Sequence, residues 1–249
     1  MAAGERTAPV ALVTGSSSGI GAAVARRLAE ARFRIVVNSV RSVEDGEKLA
    51  ASLPDAVYLR ADVSVEAEAG QLVADAVEHF GRLDLLVNSA GRTRTIPHTD
   101  LAAATPEVWR EILALNVIGT WQTTVAAMPH LMASGSGAVV NISSIAGSRP
   151  AGSSVPYAVS KAAIEHMTRL LAAAVGPRVR VNAVAPGLVE TPWIRDSPFF
   201  APIAQKVRES TPLRRVGLPE DVAEAVLGLA GAAYTTGQVL LVDGGAHLI

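Results

Sequence analysis

Cysteine is absent from this chain of 249 residues, and lysine and tyrosine are scarce. The absence of cysteine excludes a disulfide framework, a thiol nucleophile, and zinc or iron–sulfur centres held by thiolates. Chemistry that needs a lysine or a tyrosine must use one of Lys48, Lys161, Lys206, Tyr58, Tyr157 and Tyr234. The formal net charge of −1 argues against a polyanion-binding role, so we expect no nucleic-acid partner.

Long apolar runs are also missing, although 49% of the residues are hydrophobic and the mean hydropathy is +0.31. No uninterrupted stretch approaches the ~18 residues of a membrane span, and residues 1–9 lack the apolar segment of a signal peptide. A parallel sheet covered on both faces explains the hydropathy, because its strands are continuous apolar runs. We therefore expect a cytoplasmic protein with no membrane partner.

Apolar runs alternate with segments of helical periodicity along the whole chain. The predicted strands are Val10–Thr14, Arg34–Asn38, Val57–Ala61, Leu83–Val87, Ala138–Ile142, Val179–Val184 and Val239–Val242. The predicted helices are Gly19–Glu30, Val43–Leu53, Val65–Phe80, Thr105–Met132, Ser154–Val175 and Glu220–Ala230. This alternation predicts βαβ units in one α/β domain over residues 1–249. The proline-rich segment at 187–219 is irregular, and residues 188–218 are typical of a lid.

A glycine-rich turn, Thr14–Gly21, follows the first strand and opens the first helix. Its G-x-x-x-G-x-G spacing fits either a dinucleotide phosphate site or a plain tight connection. The same residues match G-x-S-x-G, the nucleophile elbow of serine hydrolases, with Ser17 as the nucleophile. The position argues against a hydrolase, because Ser17 follows the first strand and the last histidine, His247, is almost at the end of the sequence.

Tyr157 and Lys161 are four residues apart on a predicted helix, so both lie on one face. A phenol has a pKa near ~10 and must lose about three units to act as a base near neutrality. The electrostatic attraction of an ammonium group ~4 Å away, at an effective dielectric of ~20, lowers a phenol pKa by about that amount. The pair therefore predicts a general acid/base for a hydroxyl or carbonyl group. The alternative is a surface lysine beside a packed tyrosine.

Several further motifs occur in a familiar order and resemble the short-chain dehydrogenase/reductase family over nearly the whole chain. They are Thr14–Gly21, Ala61-Asp62-Val63, Asn88-Ser-Ala-Gly91, Asn116-Val-Ile-Gly119, Ile142–Gly147, Tyr157-Ala-Val-Ser-Lys161, Arg180–Gly187, Thr236-Gly-Gln-Val and Val242-Asp-Gly-Gly245. The resemblance implies a doubly wound, Rossmann-like parallel sheet of seven strands in the order 3-2-1-4-5-6-7, with helices on both faces. Enoyl reductases of the family space their Tyr and Lys more widely, which argues against that activity here.

The resemblance also implies a catalytic tetrad of Asn116, Ser144, Tyr157 and Lys161. Ser144, rather than Ser143, matches because it directly precedes Ile-Ala-Gly. In these roles Ser144 hydrogen-bonds the substrate oxygen and Tyr157 transfers the proton. Lys161 lowers the tyrosine pKa and reaches the nicotinamide ribose. Asn116 positions a water that links Lys161 to solvent.

The remaining motifs imply a nicotinamide cofactor, and Tyr157 and Lys161 contact it too. The other predicted cofactor residues are Gly15, Ser17, Ser18, Gly19, Ile20, Gly21, Asn38, Ser39, Arg41, Ser42, Asp62, Val63, Asn88, Ala90, Gly91, Pro186, Gly187, Val189 and Thr191. We expect NADP(H), because the second strand ends without an Asp and Ser39, Arg41 and Ser42 can hold a 2′-phosphate. Ser18 stands where NADP-users often have a basic residue, so NAD(H) remains the alternative. Asn88 could instead tie neighbouring strands together, and Ser89 departs from the usual second Asn.

The expected activity is NADPH-preferring reduction of a small-molecule carbonyl, reversible as an alcohol oxidation, with 3-oxoacyl thioesters favoured. The alternatives are an NAD-dependent sugar or cyclic-alcohol dehydrogenase and a catalytically silent cofactor-binding protein. Arg92 and Arg94 either attract an acidic substrate or are ordinary loop arginines, and Trp193, Phe199 and Phe200 suggest an apolar pocket wall. The histidines form no metal-ligand pattern, so no metal is expected. The resemblance implies a homotetramer, or a dimer.

Overall fold

The computed structural model describes residues 8–195 and 198–249, and within them a seven-stranded parallel sheet organises the chain. The strands are β1 Val10–Val13, β2 Arg34–Ser39, β3 Ala56–Arg60, β4 Leu85–Asn88, β5 Gly137–Ile142, β6 Val179–Pro186 and β7 Val239–Val242. Their order is β3-β2-β1-β4-β5-β6-β7, with every pair parallel. The expected Rossmann-like fold and strand order are confirmed.

Helices connect the strands and cover the sheet. They are α1 Gly19–Glu30, α2 Val43–Ser52, α3 Glu66–Phe80, α4 Pro106–Leu113, α5 Thr120–Ala133, α6 Val155–Val175, α7 Pro192–Arg195, α8 Ala201–Ser210 and α9 Pro219–Gly231. Short 3-10 turns occupy Ile145–Gly147, Pro198–Phe200 and Ala246–Leu248. No helix of the described ranges is both long and apolar enough to cross a membrane.

The core consists of two apolar layers, one on each face of the sheet. Ala11 and Val13 of β1 pack in one layer with α1, α2 and α9, and Val10 and Leu12 pack in the other with α3 and α5. These four side chains are fully buried. Burial on both faces requires continuous apolar runs in the central strands, which accounts for the high hydropathy.

The helix expected at Thr105–Met132 contains a π-helical turn at Ala114–Gly119, which separates α4 from α5. Just beyond it the hydroxyls of Thr120, Thr123 and Thr124 each donate to the carbonyl four residues earlier. Such bonds compete with the regular helical ladder and bend helices. Hydrophobic spacing cannot reveal this turn, because the apolar face continues across it.

The proline-rich segment is more regular than the sequence suggested, since it contains α7 and α8. Pro192, Pro202 and Pro219 lie in the first turns of α7, α8 and α9, where a missing N–H costs nothing. These prolines therefore start helices instead of breaking them. The two ends of the segment are tied together, because Gly217 donates to Leu188 O and Glu190 donates to Gly217 O.

Candidate active site

Two adjoining cavities open at the carboxyl ends of the strands. The glycine-turn cleft, of about 750 Å³, is lined by the turn at 15–21 and by residues from the ends of β2 and β4. The apolar cavity, of about 850 Å³, lies beneath α7 and α8. Ser144, Tyr157 and Gly187 line both, so these residues stand at the junction. Ligands of open α/β sheets bind at this edge.

The backbone of the glycine turn leaves no room for side chains at two of its glycines. Gly15 has a φ of 63°, and a Cβ there would lie 2.7 Å from the Cα of Ala90. A Cβ on Gly21 would lie 2.5 Å from the carbonyl oxygen of Gly15. The turn leads directly into α1. The first N–H groups of a helix have no partner within it, so they can bind an anion. The cleft therefore fits a dinucleotide with its pyrophosphate at this helix end.

All the predicted cofactor residues except Asn88 line the glycine-turn cleft. Asn88 lies below it and connects strands: its Nδ2 donates to Thr124 Oγ1 at 3.0 Å and to Asn141 Oδ1 at 2.9 Å. Asn141 Nδ2 in turn donates to Thr168 Oγ1 at 2.9 Å. This polar ladder supports the structural alternative for Asn88. Sequence reasoning missed the ladder, because its members are distant along the chain.

Two of the predicted cofactor-binding residues, at the end of β2, have side chains that already form hydrogen bonds within the protein. Asn38 Nδ2 donates to the carbonyls of Leu59 and Ala61, and its Oδ1 accepts from Gly15 N at 3.3 Å. The Ser39 hydroxyl donates to Ser42 O at 3.1 Å. These contacts favour a loop-holding role for both side chains. Arg41, by contrast, is exposed and makes no hydrogen bond or ion pair among the described residues.

The serine hydrolase alternative has no matching geometry. Ser17 lines the glycine-turn cleft, whereas His247 lines the apolar cavity. The His247 ring nitrogen Nδ1 lies 2.9 Å from Asp243 Oδ2. The structure therefore does not bring the candidate nucleophile and the late histidine together.

Tyr157 and Lys161 lie in the first turns of α6, at the junction of the cavities. Ser154 begins the helix, and its hydroxyl accepts from Tyr157 N at 3.4 Å. Lys161 is buried, with Nζ 5.6 Å from the centroid of the Tyr157 ring and donating to Ile142 O at 2.8 Å. The side chain of Ser144 hydrogen-bonds Tyr157, and its Oγ accepts from Ala146 N at 3.2 Å.

Desolvation dominates the electrostatics of this pair. Burial raises the pKa of Tyr157 to about 12, and the hydrogen bond with Ser144 opposes the shift only in part. Burial lowers the pKa of Lys161 to about 8. In the chain by itself the net shift of the Tyr157 pKa is therefore upward, and the lowering effect expected of Lys161 stays a prediction. Tyr157 is partly buried and Lys161 is buried, and burial disfavours the charged form of each.

Ser143 and Ser144 point in different directions. The buried Ser143 hydroxyl lies 3.2 Å from Lys161 O and 3.2 Å from Glu165 Oε1, inside the packing of α6. Ser144 lines both cavities. The geometry therefore favours Ser144 as the residue that contacts a substrate.

Asn116, in the π-helical turn, clamps a loop instead of facing the cavities. Its Nδ2 donates to Arg92 O and to Ser160 Oγ, both at 3.0 Å. Its Oδ1 accepts from Arg92 N at 2.8 Å. The amide is thus committed to joining the loop after β4 to α6. The side-chain amide is thus occupied by protein partners, and the expected water-positioning role of Asn116 stays a prediction.

Neither loop arginine lines the apolar cavity. Arg94 pairs with Glu111 at 3.1 Å, and Arg92 lines the glycine-turn cleft. Burial raises the pKa of Asp62, but hydrogen bonds from Ser64 outweigh it, helped by Arg92 and Arg41, so that pKa lies below its ordinary value. Arg92 and Arg41 therefore act on the cofactor side, which argues against substrate attraction by Arg92.

Comparison with known proteins agrees with this geometry. The family model described as "Enoyl-(Acyl carrier protein) reductase" matches residues 15–247. The chain belongs to the short-chain dehydrogenase/reductase family. As a member it is an oxidoreductase and uses a nicotinamide cofactor.

Two curated relatives of the family span nearly the whole chain. The "Granaticin polyketide synthase putative ketoacyl reductase 2" of Streptomyces violaceoruber is 76% identical over 100% of both chains. The 3-oxoacyl-[acyl-carrier-protein] reductase of Synechocystis is 36% identical, covering 97% of this chain and 96% of that one.

A solved structure of the family has the same fold. It is the crystal structure of a short-chain dehydrogenase/reductase from Brucella melitensis, which is 30% identical with a TM-score of 0.88. The match covers 95% of this chain and 96% of that chain.

Proposed function

We propose that the protein is an NADPH-preferring ketone reductase and that 3-oxoacyl thioesters are its favoured substrates. The observation that carries the proposal is the position of Ser144 and Tyr157 where the glycine-turn cleft meets the apolar cavity. A substrate carbonyl at this junction reaches both hydroxyls and faces the cleft. The names of the two curated relatives support ketoacyl reduction.

The proton chemistry favours reduction. Because the pKa of Tyr157 is about 12, its hydroxyl is protonated at neutral pH and can donate to a carbonyl oxygen. Ser144 holds the same oxygen as it gains negative charge. The buried Lys161 ammonium, one helical turn away, stabilises the phenolate that remains. A bound nicotinamide cofactor supplies the hydride.

The cleft offers a group of residues for each part of the cofactor. The turn at 15–21 would hold the pyrophosphate, and Asp62 and Val63 would contact the adenine. Ala90 and Gly91 would flank the adenosine ribose. The nicotinamide carboxamide would be held by Pro186, Gly187, Val189 and Thr191. Thr191 also lies beside the glycine turn, because its Cγ2 is 3.4 Å from the position that a Cβ on Gly19 would take.

Cofactor preference depends on the end of β2. Arg41 makes no competing ion pair, and the Ser42 side chain makes no capping bond to α2. Both are therefore available for a 2′-phosphate, to which a guanidinium is well suited. We expect Arg41→Ala to lower kcat/KM for NADPH about tenfold and to leave the value for NADH unchanged. Arg178→Ala, at an exposed position outside both cavities, is the control.

The segment at 188–218 is proposed as a lid over the apolar cavity. Its ends are tied at Gly217, while Ile203 and Val207 of α8 line the cavity from above. We also propose a homotetramer, supported by apolar side chains exposed on α5 and α6. These are Trp121, Val125, Val159 and Leu170.

A panel of ketones and secondary alcohols, assayed by nicotinamide absorbance with both cofactors, tests the function. We expect turnover of 3-oxoacyl thioesters with NADPH to exceed every sugar and cyclic-alcohol rate with NAD. A preference for sugars or cyclic alcohols with NAD would overturn the proposal. Complete absence of turnover with retained cofactor binding would support the catalytically silent alternative.

A further inference from the structure

One wall of the apolar cavity belongs neither to the sheet nor to the lid. It is built by residues 243–249, the wall segment, which follow β7. The members of this segment that line the cavity are Asp243, Gly244, Gly245, Ala246 and His247. A ligand that fills the cavity therefore lies against the wall segment.

Hydrogen bonds give the wall segment a defined shape. The Asp243 side chain is 2% exposed and accepts from Gly245 N at 3.0 Å and from His247 N at 2.8 Å. The His247 ring nitrogen Nδ1 lies 2.9 Å from the same carboxylate. Ala246 N also donates to the backbone carbonyl of Asp243 at 3.1 Å. The segment is thus folded back on a buried carboxylate and presents a fixed surface to the cavity.

On one side the wall segment is joined to the lid. Leu213 N donates to Gly244 O at 3.1 Å. The Gly245 backbone packs directly on the Pro212 ring, because a Cβ on Gly245 would lie 2.6 Å from Pro212 Cγ. Pro212 and Leu213 line the cavity as well. The lid and the wall segment therefore form one continuous surface around it.

On the other side the Arg149 side chain holds the wall segment. Its Nη1 donates to Ala246 O, and its Nη2 donates to Ile249 O at 2.6 Å. The Arg149 backbone is fixed in the loop after Ser144, because its N donates to Ile145 O at 3.0 Å. Hydrogen bonds from a charged donor are roughly twice as strong as neutral ones. The guanidinium thus connects the wall segment to the loop that precedes α6.

We propose that Arg149 determines substrate specificity by fixing the wall segment against the apolar group attached to the reacting carbonyl. Arg149 is not among the residues that line the cavity, so it acts through the segment and is a positioning residue. The inference rests on the proposed ketone reduction and states what selects the substrate. A wall that is already ordered binds an apolar group more tightly, because no ordering entropy is lost on binding.

The size of the cavity favours a long or bulky apolar group. Its volume of about 850 Å³ is near the upper end for small-molecule sites, which run to roughly 1,000 Å³. Trp193, Phe199 and Leu213 add further apolar side chains to its walls. A short acyl group at Tyr157 would leave most of this space unused, whereas a long one would extend along the walls. The wall segment should therefore affect the binding of long acyl groups more than that of short ones.

The test compares the 3-oxobutanoyl and 3-oxodecanoyl thioesters of N-acetylcysteamine, which differ only in the length of the acyl chain. Dissociation constants are measured by calorimetry with NADP⁺ present, which supplies no hydride, and kcat and KM are measured with NADPH. The proteins are the wild type, Arg149→Met, Arg149→Lys and Arg178→Met. Arg178 is exposed and lies outside both cavities, so its variant controls for loss of a guanidinium elsewhere.

We expect the wild type to bind the long thioester at least about tenfold more tightly than the short one, since each buried methylene group contributes roughly fourfold. Arg149→Met should lose most of that preference. Its KM for the long thioester should rise at least about fivefold while kcat stays within about twofold, as when binding common to the ground and transition states is lost. Arg178→Met should match the wild type.

Two further measurements follow the wall segment itself. Amide hydrogen exchange in residues 243–249 should be faster in Arg149→Met than in the wild type, because the segment loses both guanidinium bonds. Arg149→Lys should keep part of the chain-length preference, since an ammonium group can donate to one of the two carbonyls. The Lys variant serves if the Met variant fails to fold.

A wild type that binds both thioesters alike overturns the inference, and so does a preference that survives in Arg149→Met. A fall in kcat for both thioesters alike in that variant would indicate a general structural role and overturn it too. Because binding and exchange are measured apart from turnover, the two proposals fail separately. A chain-length preference that depends on Arg149, without reduction of either thioester, would contradict the proposed function and support the role of Arg149.

Discussion

At the scale of single residues, burial decides the chemistry of Tyr157 and Lys161. Four-residue spacing on a helix places them together, and charge proximity alone would lower the tyrosine pKa. The structure reverses that direction, because Lys161 Nζ bonds Ile142 O and both side chains lose water. A tyrosine that stays protonated is suited to donate a proton, which connects burial to the reductive direction.

Tyr157→Phe removes the proposed proton donor and keeps the ring. We expect kcat to fall by at least about a hundredfold, because a positioned general acid contributes about 10²–10⁴-fold. Cofactor affinity, measured by fluorescence titration, should stay within about threefold, since each lost hydrogen bond contributes only about 1 kcal/mol. Tyr234→Phe, at a fully exposed position, is the matched control. An unaltered kcat in Tyr157→Phe would refute the assignment.

Reductive activity should decline above a pH of about 8, because there Lys161, whose pKa burial lowers to about 8, loses its proton. Below that pH the ammonium stabilises the phenolate, while Tyr157, with a pKa of about 12, stays protonated throughout the range. The measurement is a profile of kcat/KM from pH 6 to pH 10, which extends ~2 units on either side of the Lys161 pKa.

Side-chain NMR of the lysines provides an independent check, since the chain contains only Lys48, Lys161 and Lys206. One resonance should titrate with a midpoint near 8 and be missing from Lys161→Arg. Activity that stays level up to pH 10, or a resonance that titrates elsewhere, would contradict this account.

At the scale of elements, irregular backbone positions the site. The glycine turn brings the start of α1 against Ala90, and the π-helical turn places Asn116 where its amide holds Arg92 and Ser160. The glycine spacing already suggested the first feature. The second requires contacts between α6, the loop after β4 and the π-helical turn, which no local pattern encodes.

Gly15→Ala and Gly70→Ala should have opposite effects. At Gly15 the left-handed φ of 63° costs an alanine about 1–2 kcal/mol, and its Cβ would lie 2.7 Å from backbone. We expect lower stability and cofactor affinity weakened at least tenfold. Gly70 lies within α3 with open space around it, so Ala should stabilise by about 0.5–1 kcal/mol. Thermal unfolding and cofactor titration measure both; equal effects would contradict the glycine-turn assignment.

At the scale of the whole molecule, strand order brings distant motifs together. Because β1 lies beside β4 and β4 beside β5, the turn at 15–21, the segment at 88–91 and Ser144 meet at one sheet edge. Each motif alone is a weak predictor. The topology converts them into one continuous site of two cavities.

The proposed tetramer depends on the exposed apolar surface of α5 and α6. Trp121 is 46% exposed, and placing a carboxylate there should oppose its burial against a second copy. We expect Trp121→Glu to sediment as dimers or monomers with an unchanged circular dichroism spectrum. Ala74→Glu, on the exposed side of α3, should leave the assembly intact. A wild type that sediments as a monomer would refute the tetramer.

Local sequence patterns were sufficient to predict the strands, their parallel arrangement and the pairing of Tyr157 with Lys161, because these depend on periodicity and short spacing. They did not predict α8 in the proline-rich segment, because first-turn prolines and chain-breaking prolines look alike in sequence. Only the tertiary structure decided the pKa directions, the occupied amides of Asn38 and Asn116, and the bonds between Arg149 and the wall segment. Each of these depends on which distant atoms exclude water from a group or bond to it, and only the folded chain brings those atoms together.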